Sequence, residues 1–278
     1  PLSFKEFLHF KNLSVKDELD LVSKRIEIKA LLNEYLEFGA FPEVVLAKEK
    51  KEILLAYFDD VLNKDLVRRY RVRRPEKLNA LAKFYLTNIS SSITFNSIEK
   101  FLGISASTVE TYSDYLNTAY LTFFLKRFSF KVKDQEKSPR KVYSIDPGLA
   151  NAVGFRFSQN IGRLAENVVF LELERRKAID PYLEIFYWKD TRHREIDFVI
   201  KRGLKIKQLI QVCWEIEEPQ TKNRELRSLV KALTKLNVSE GLVITGDYEA
   251  EEGTFKFVPL WKWLLICLLY TSDAADEG

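Results

Sequence analysis

The sequence has few of the residues from which disulfides and zinc sites are built. Its 278 residues include two cysteines and two histidines. Cys213 and Cys267 lie far apart without CxxC spacing, and His9 and His193 are equally scattered. A disulfide framework and a structural zinc site are therefore not expected, and a reducing cytoplasm is the expected compartment.

Long apolar segments are also missing. The longest apolar run, residues 258–270, is interrupted by Lys262 and is shorter than the roughly 20 residues that cross a bilayer. We expect no transmembrane segment and no membrane partner. The first residues contain neither an initiator methionine nor the apolar core of a signal peptide, so we expect the start of the gene to be missing.

The sequence contains no Gly-x-x-x-x-Gly-Lys-Ser/Thr loop and no acidic Walker B strand. We therefore expect no cofactor in this chain, which should neither bind nor hydrolyse ATP by itself. Its composition, 46% hydrophobic and 30% charged, is that of a globular chain, and its length leaves room for about two domains. The net charge of +4 is small, so any nucleic-acid binding must depend on local basic clusters.

The last residues resemble a laboratory sequence more than a protein. Residues 267–277 look like one reading frame of a transposase adapter used in short-read sequencing, and Gly278 would come from the variable index that follows. We expect residues 267–278 to be adapter read-through, with the natural chain interrupted near Ile266. The alternative is a genuine amphipathic end to a terminal helix.

Residues 1–76 are expected to form a helical linker. Apolar residues recur at helical spacing over residues 19–37 and again over residues 50–70. The second helix ends in an arginine-rich segment that Pro75 closes. This segment could bind phosphates, or it could be a solvated helix end. Its five arginines are Arg68, Arg69, Arg71, Arg73 and Arg74.

Residues 77–158 show the pattern of a winged helix-turn-helix. Three short helices are predicted over residues 78–90, 95–102 and 106–117. Gly103 lies in the turn between the second and third helices, and Ser105 is well placed as N-cap of the third. The third helix would lie in a major groove if the motif binds DNA.

In that third helix, Val109, Tyr112 and Leu116 are expected to face the core. The residues expected to face outward are Ser107, Thr108, Glu110, Thr111 and Ser113. Ser107, Thr108 and Thr111 are the candidate DNA contacts. The outward set contains no arginine or lysine, which argues against direct reading of bases.

Two strands after the third helix, residues 120–125 and 141–145, are expected to form a β-hairpin, the wing of the module. The wing carries the positive charge of the module: Lys126, Arg127, Lys131, Lys133, Lys137, Arg140 and Lys141. The candidate contacts to DNA phosphates are Lys131, Lys133, Lys137, Arg140 and Lys141. The alternative is a winged helix used only for packing against protein, because a fold does not fix a function.

Residues 159–266 are expected to fold as an α/β restriction-endonuclease-like domain. A long amphipathic helix over residues 160–177 precedes three strands, a helix and further strands. This α-β-β-β-α-β order is that of the restriction-endonuclease-like fold. The predicted fold class is therefore α+β and multi-domain: a helical linker, a winged helix-turn-helix, then an α/β restriction-endonuclease-like fold.

Such nucleases hold a divalent metal with a helix carboxylate, a strand aspartate, and a Glu or Gln two residues before a lysine. Glu166, Asp197 and Gln211 occupy the matching positions, and Glu166 and Asp197 would bind Mg²⁺ or Mn²⁺ only in an active site. Cys213 stands where the pattern has lysine, and a thiol supplies no fixed positive charge. Lys189 could substitute from another direction. The cysteine favours a degenerate scaffold over an active nuclease.

Five motifs occur in the same order as in the archaeal-type AAA ATPases. They are Pro-Leu-Ser-Phe-Lys-Glu-Phe-Leu at 1–8, Phe-Gly-Ala-Phe-Pro-Glu at 38–43, Asn-Lys-Asp-Leu at 63–66, Tyr-Ser-Ile-Asp-Pro-Gly-Leu at 143–149 and Glu-Ile-Asp-Phe at 195–198. The chain therefore resembles this family from residue 1 to about residue 265.

The resemblance implies that an AAA domain binding ATP and Mg²⁺ precedes residue 1, and that residues 1–76 include the end of that region. It also implies a C-terminal half made of a winged helix and a nuclease-like domain of unknown function. Three functions stay open: a DNA-binding region accessory to the ATPase, a divalent-metal-dependent DNA nuclease, and a non-catalytic protein-interaction module. The expected partners are DNA and the chain's own ATPase domain, and a homo-oligomer would depend on that absent domain.

Overall fold

The computed structural model describes residues 1–155 and 160–266. The chain divides into two compact units: the first unit comprises Pro1 and residues 35–168, and the second unit comprises residues 2–34 and the residues from 169 onward. The segment predicted as a linker, residues 1–76, is thus shared between the two units. The predicted adapter read-through, residues 267–278, lies outside the described residues.

The first part of the chain is helical, as predicted. Its elements are α1 (Phe4–Phe10), α2 (Glu18–Ser23), α3 (Arg25–Phe38), α4 (Pro42–Leu46), α5 (Lys50–Asp60), a π-helix (Val61–Val67) and α6 (Arg68–Tyr70). The helix predicted over residues 19–37 is two helices, because α2 ends at a C-cap on Lys24. The helix predicted over residues 50–70 contains the π-helical segment, where the wider turn still buries Leu62 and Leu66.

A winged helix-turn-helix follows, which confirms the prediction. Its elements are α7 (Pro75–Thr87), β1 (Ser91–Ile93), α8 (Phe95–Leu102), α9 (Ala106–Thr118), β2 (Thr122–Leu125), α10 (Val132–Lys137), β3 (Arg140–Ser144) and α11 (Pro147–Val153). The three strands are antiparallel in the order β1-β3-β2. The predicted hairpin is the β2–β3 pair, whereas β1 was not predicted because three residues are too few to show alternation.

Helix α9 is capped and packed by residues that the sequence identifies. Ser105 accepts a hydrogen bond from the backbone N–H of Thr108, as an N-cap does. Val109, Tyr112 and Leu116 are buried, as predicted. The prediction that Ser113 faces outward was wrong. Its hydroxyl is fully buried, where it donates to the carbonyl of Val109 and lies 2.6 Å from the Tyr85 hydroxyl.

The last part of the chain has the predicted α-β-β-β-α-β order. Its elements are α12 (Ile161–Ile179), β4 (Leu183–Lys189), β5 (Glu195–Arg202), β6 (Lys205–Cys213), α13 (Pro219–Leu236), β7 (Gly241–Thr245), β8 (Ala250–Glu252), β9 (Phe255–Pro259) and α14 (Leu260–Ile266). The sheet order is β4-β5-β6-β7-β9-β8. Strands β6, β7 and β9 are parallel and the other pairs are antiparallel, so the sheet is mixed.

Helix α13 makes the crossover between the parallel strands β6 and β7, as a parallel pair requires. Strand β7 is buried along its whole length, which explains its near-continuous apolar sequence, and the middle of β5 is buried as well. In the second unit, α1 packs against α14. Across the described ranges, no helix has both the length and the apolar character needed to cross a bilayer.

Candidate nucleic-acid interface and nuclease-like site

Residues 68–74, here called the arginine turn, carry the densest positive charge in the first unit. All five arginines are exposed. None of them forms an ion pair with another residue in the part of the chain that the structure describes. Helix α6 ends at Arg71, whose φ of 49° lies in the left-handed region and turns the chain away from the helix axis. The turn therefore presents several unneutralised guanidinium groups to solvent.

An aromatic stack fixes the arginine turn beside the helix-turn-helix. The ring of Tyr70 stacks on that of Tyr115 in α9, with ring centroids 3.9 Å apart and planes 7° apart. The guanidinium group of Arg69 also lies over the Tyr70 ring, 5.6 Å from its centroid. Sequence reasoning treated the turn and α9 as separate features. The stack places the basic turn beside α9, the helix that would approach DNA in a motif of this kind.

The outward side of α9 is polar, and its exposed charged residues, Glu110 and Asp114, are both acidic. Ser107, Glu110 and Thr111 are exposed, and Thr108 is half-buried. Two of the candidate hydroxyls already have partners in α9 or at its N-cap. Thr111 donates to the carbonyl of Ser107 at 2.9 Å, and the Thr108 hydroxyl lies 2.9 Å from that of Ser105. Thr108 and Thr111 therefore have fewer hydroxyl donors left for DNA than the sequence predicts.

The wing presents three of its predicted basic residues to solvent. Lys131, Lys133 and Lys137 are exposed, and no ion pair involves them among the described residues. Arg140 is half-buried, with its guanidinium 5.4 Å from the centroid of the Phe95 ring and 3.7 Å from Glu136. It can reach a phosphate only after leaving these contacts.

Lys141 does not belong to this surface, and its prediction as a DNA contact was wrong. Its side chain is only 1% exposed, and its Nζ lies 2.9 Å from Oε1 of Glu166. The Tyr143 hydroxyl donates to the same oxygen at 2.8 Å. Both donors come from β3, the central strand of the wing sheet, so the alternation of that strand directs Lys141 inward.

Glu166 is accordingly a structural partner within the first unit. Lys141 neutralises its charge, and the next residue, Asn167, bonds both the N–H and the carbonyl of Ser144 at 2.8 and 3.0 Å. These bonds fasten the start of α12 to the end of β3. The donors from Lys141 and Tyr143 both contact the same oxygen, Oε1, and the pair with Lys141 balances the charge of the Glu166 carboxylate.

Asp197 and Gln211 lie together on neighbouring strands of the second unit. The N–H of Asp197 donates to Oε1 of Gln211 at 3.3 Å, and Asp197 Oδ2 accepts from the N–H of Val212 at 2.9 Å. Glu225 of α13, which sequence reasoning missed, accepts from Nε2 of Gln211 at 2.8 Å. Burial raises the pKa of Glu225, and the negative charge of Asp197 raises it further.

The two remaining candidates concern the position where the nuclease pattern has lysine. Burial raises the pKa of the Cys213 thiol to about 12, so it stays protonated and uncharged. Lys189 forms an ion pair with Glu195 at 2.9 Å. Within residues 1–155 and 160–266, no three His, Cys, Asp or Glu side chains are placed to hold a metal ion. In this structure Glu166 is paired with Lys141, and Asp197 accepts from the N–H of Val212.

Two of the five motifs meet in a buried contact of the first unit. Asp146 accepts from the N–H of Ala40 at 2.7 Å and from that of Leu149 at 2.9 Å. Each of the two motifs contains a glycine that leaves no room for a side chain. A Cβ on Gly39 would lie 1.8 Å from the Asp146 carboxylate, and a Cβ on Gly148 would lie 2.0 Å from the Phe38 carbonyl oxygen. Burial raises the pKa of Asp146 to about 6, although the two N–H groups oppose this shift. These motifs are therefore explained by packing.

Two family models match adjoining parts of the chain. Residues 29–160 match the domain of unknown function DUF8612, and residues 161–263 match the domain of unknown function DUF4143. The boundary between the two matched regions lies close to the predicted domain boundary at residues 158–159. Helix α12, which begins at Ile161, is thus the first element of the second matched region.

Two curated proteins are similar to the chain over almost all of its length. An uncharacterized protein of Methanocaldococcus jannaschii is 36% identical over 283 residues, covering 95% of this chain and 62% of that protein. An uncharacterized protein of Haemophilus influenzae is 30% identical over 276 residues, covering 95% of this chain and 63% of that protein. The chain thus spans less than two thirds of the length of these relatives. No solved structure matches it.

Proposed function

We propose that this chain is the DNA-binding region of a longer AAA-type ATPase. The arginine turn is the observation that carries the proposal: five exposed arginines, none with an ion pair among the described residues, are stacked onto α9 through Tyr70 and Tyr115. The planar guanidinium group can donate two parallel hydrogen bonds to one phosphate. An unneutralised cluster of them beside a helix-turn-helix is suited to the phosphates of a duplex.

The basic residues favour binding through the DNA backbone. The arginine turn and the wing lysines Lys131, Lys133 and Lys137 supply phosphate contacts, which position a protein on DNA without reading its sequence. Helix α9 has no arginine or lysine on its outward side, so it lacks the side chains that most often recognise guanine. We therefore expect affinity that depends strongly on salt and weakly on DNA sequence.

The ATPase part of the proposal has three supports. The five motifs follow the order found in archaeal-type AAA ATPases, and DUF4143 domains occur in C-terminal regions associated with AAA ATPases. The similar proteins are also longer than this chain. In the proposal, a further domain binds ATP and Mg²⁺, determines any homo-oligomeric state, and acts in the cytoplasm on DNA that this region holds.

The contacts of the nuclease-like residues give the nuclease hypothesis less support. Glu166 is neutralised by Lys141, and Cys213 is buried and protonated. A nuclease would cut DNA in Mg²⁺ or Mn²⁺ in a reaction that Asp197→Ala abolishes. A protein-interaction module would show no DNA affinity even at low salt.

The test is fluorescence anisotropy of a labelled duplex titrated with the chain over a series of salt concentrations, with the integrity of the DNA followed on a gel. If the five arginines and three wing lysines all contact phosphates, log K should fall with log salt with a slope of about −7. The triple variant Arg71→Gln/Arg73→Gln/Arg74→Gln should reduce the magnitude of that slope by about 3.

A charge-matched control separates these contacts from net charge. Lys205, Lys207 and Lys231 are exposed residues of the second unit, and replacing all three with glutamine removes the same charge. The control variant should keep the wild-type slope. Equal effects of the two triple variants would mean that net charge alone acts, and absence of binding at low salt would contradict DNA binding altogether.

A further inference from the structure

The wing presents an aromatic ring to solvent between its lysines. Phe130 is 80% exposed, and Lys131 and Lys133 follow it in the chain. An isolated exposed apolar residue is common on protein surfaces. Phe130 is distinguished by its position on the loop that joins the two strands of a wing, and by the cationic side chains on either side of Val132.

Contacts with neighbouring residues hold the Phe130 ring and its backbone in place. Its ring meets the ring of Phe128 edge to face, with centroids 5.1 Å apart and planes 79° apart, and Phe128 is buried. The backbone is fixed on both sides: Gln135 Nε2 donates to the carbonyl of Ser129 at 2.7 Å, and the N–H of Lys131 donates to the Ser129 hydroxyl at 3.2 Å. The exposed ring therefore has a defined direction, which lowers the entropy lost when it binds a flat partner.

The charge around the ring indicates what that partner is. Lys131 and Lys133 are exposed, with no ion pair among the described residues. A flat aromatic ring beside cations matches the nucleotide, which combines a π-face with a phosphate. An apolar protein surface would leave the two lysines without counter-charges.

We propose that Phe130 stacks on an unpaired DNA base, so that the wing binds a single strand adjoining a duplex. This inference rests on the proposed function, because the arginine turn and wing lysines would hold the duplex itself. A base inside a continuous duplex shows its face only after it is unstacked from its neighbour, which costs free energy. A base in an overhang shows its face without that cost.

The first measurement compares a blunt duplex with a duplex that has a single-stranded overhang and the same total number of nucleotides. The chain should bind the overhang DNA on the order of tenfold more tightly, as expected for one stacked base. A 2-aminopurine at the first unpaired position should lose fluorescence on binding, because an adjacent aromatic ring quenches it.

Four variants separate stacking from general apolar contact. Phe130→Ala should lower the overhang affinity to that of the blunt duplex and abolish quenching, and Phe130→Tyr should keep both. Phe130→Leu retains apolar area without a ring and should lose the quenching. Phe101→Ala is the matched control, because Phe101 is also an exposed phenylalanine, 65% exposed on α8.

Each outcome has a distinct meaning. Equal affinity for blunt and overhang DNA, or quenching that survives Phe130→Ala, would overturn the inference while leaving the DNA-binding function in place. Failure to bind either DNA at low salt would overturn the proposed function and this inference together. Loss of the preference in Phe101→Ala as well would show that aromatic surface, and not stacking by Phe130, causes it.

Discussion

The buried pair of Lys141 and Glu166 gives a quantitative test of whether these residues are structural or functional. Lys141→Met keeps the length of the side chain and removes its charge. Glu166 would then be a buried carboxylate, 12% exposed in its side chain, with the Tyr143 hydroxyl still bonded to it. Breaking a buried pair from one side costs about 3–5 kcal/mol. Because the hydroxyl remains, we expect the lower end, about 3 kcal/mol.

The double variant Lys141→Met/Glu166→Gln shows where that cost comes from. It removes both charges, and the glutamine oxygen can still accept from Tyr143. We expect it to recover all but about 1 kcal/mol of the loss, because the cost of the single change is an uncompensated charge. Glu166→Gln alone should cost an intermediate amount of stability. It leaves a buried ammonium group, but the glutamine oxygen can still accept a hydrogen bond from it.

Urea unfolding provides the assay. All four tryptophans belong to the second unit, whereas the pair belongs to the first, so tryptophan fluorescence follows the second unit and far-UV circular dichroism follows both. Lys141→Met should move the circular dichroism transition to lower urea, with DNA affinity of the folded protein unchanged. A variant with wild-type stability and weakened DNA binding would refute the reasoning, because it would return Lys141 to the DNA surface.

Two further predictions concern the contact between residues 38–40 and 146–149. Gly148→Ala places a Cβ 2.0 Å from the Phe38 carbonyl oxygen, so the free energy of unfolding should fall by at least about 3 kcal/mol. Gly103→Ala, whose Cβ meets no atom within 4 Å, should cost about 1–2 kcal/mol for its positive φ, and equal losses in urea unfolding would contradict this. The raised pKa of Asp146, about 6 against 3.8, means that the folded state binds this proton more tightly than the unfolded state does. Its stabilisation, on the order of 3 kcal/mol, is present below about pH 4 and is lost as the pH rises through 6. Asp146→Asn should remove this pH dependence, and a difference from wild type that stays constant between pH 4 and 7 would contradict it.

The order of elements could be predicted because local signals carry it. Ser105 and Gly103 mark the limits of the helices in the helix-turn-helix, and alternating or continuous apolar runs mark the strands of the second unit. Ser113 shows how a local signal can mislead. It lies four residues after Val109, on the core face of α9, but its hydroxyl suggested an outward position. Its partner, Tyr85, lies on another helix and cannot be seen in the local pattern.

The candidate site depended more on contacts between distant segments. The positions of Asp197 and Gln211 were predicted from the strand order, but Glu225 was not, because α13 carries it to them. Lys141 was predicted as a DNA contact because its charge was weighed, and the inward direction of its strand position was not. The stack of Tyr70 on Tyr115 joins segments that no periodicity connects.

The buried Asp146 contact also determines how the winged helix could be separated from the rest of the chain. A fragment limited to residues 77–158 would lack the Ala40 N–H that bonds Asp146, and the carbonyls of Leu36 and Glu37 that accept from Asn151. Each of these lost hydrogen bonds would leave a polar group without its native partner. A fragment that starts at residue 35 keeps all of them, so the smallest transferable module includes the helices that precede the winged helix.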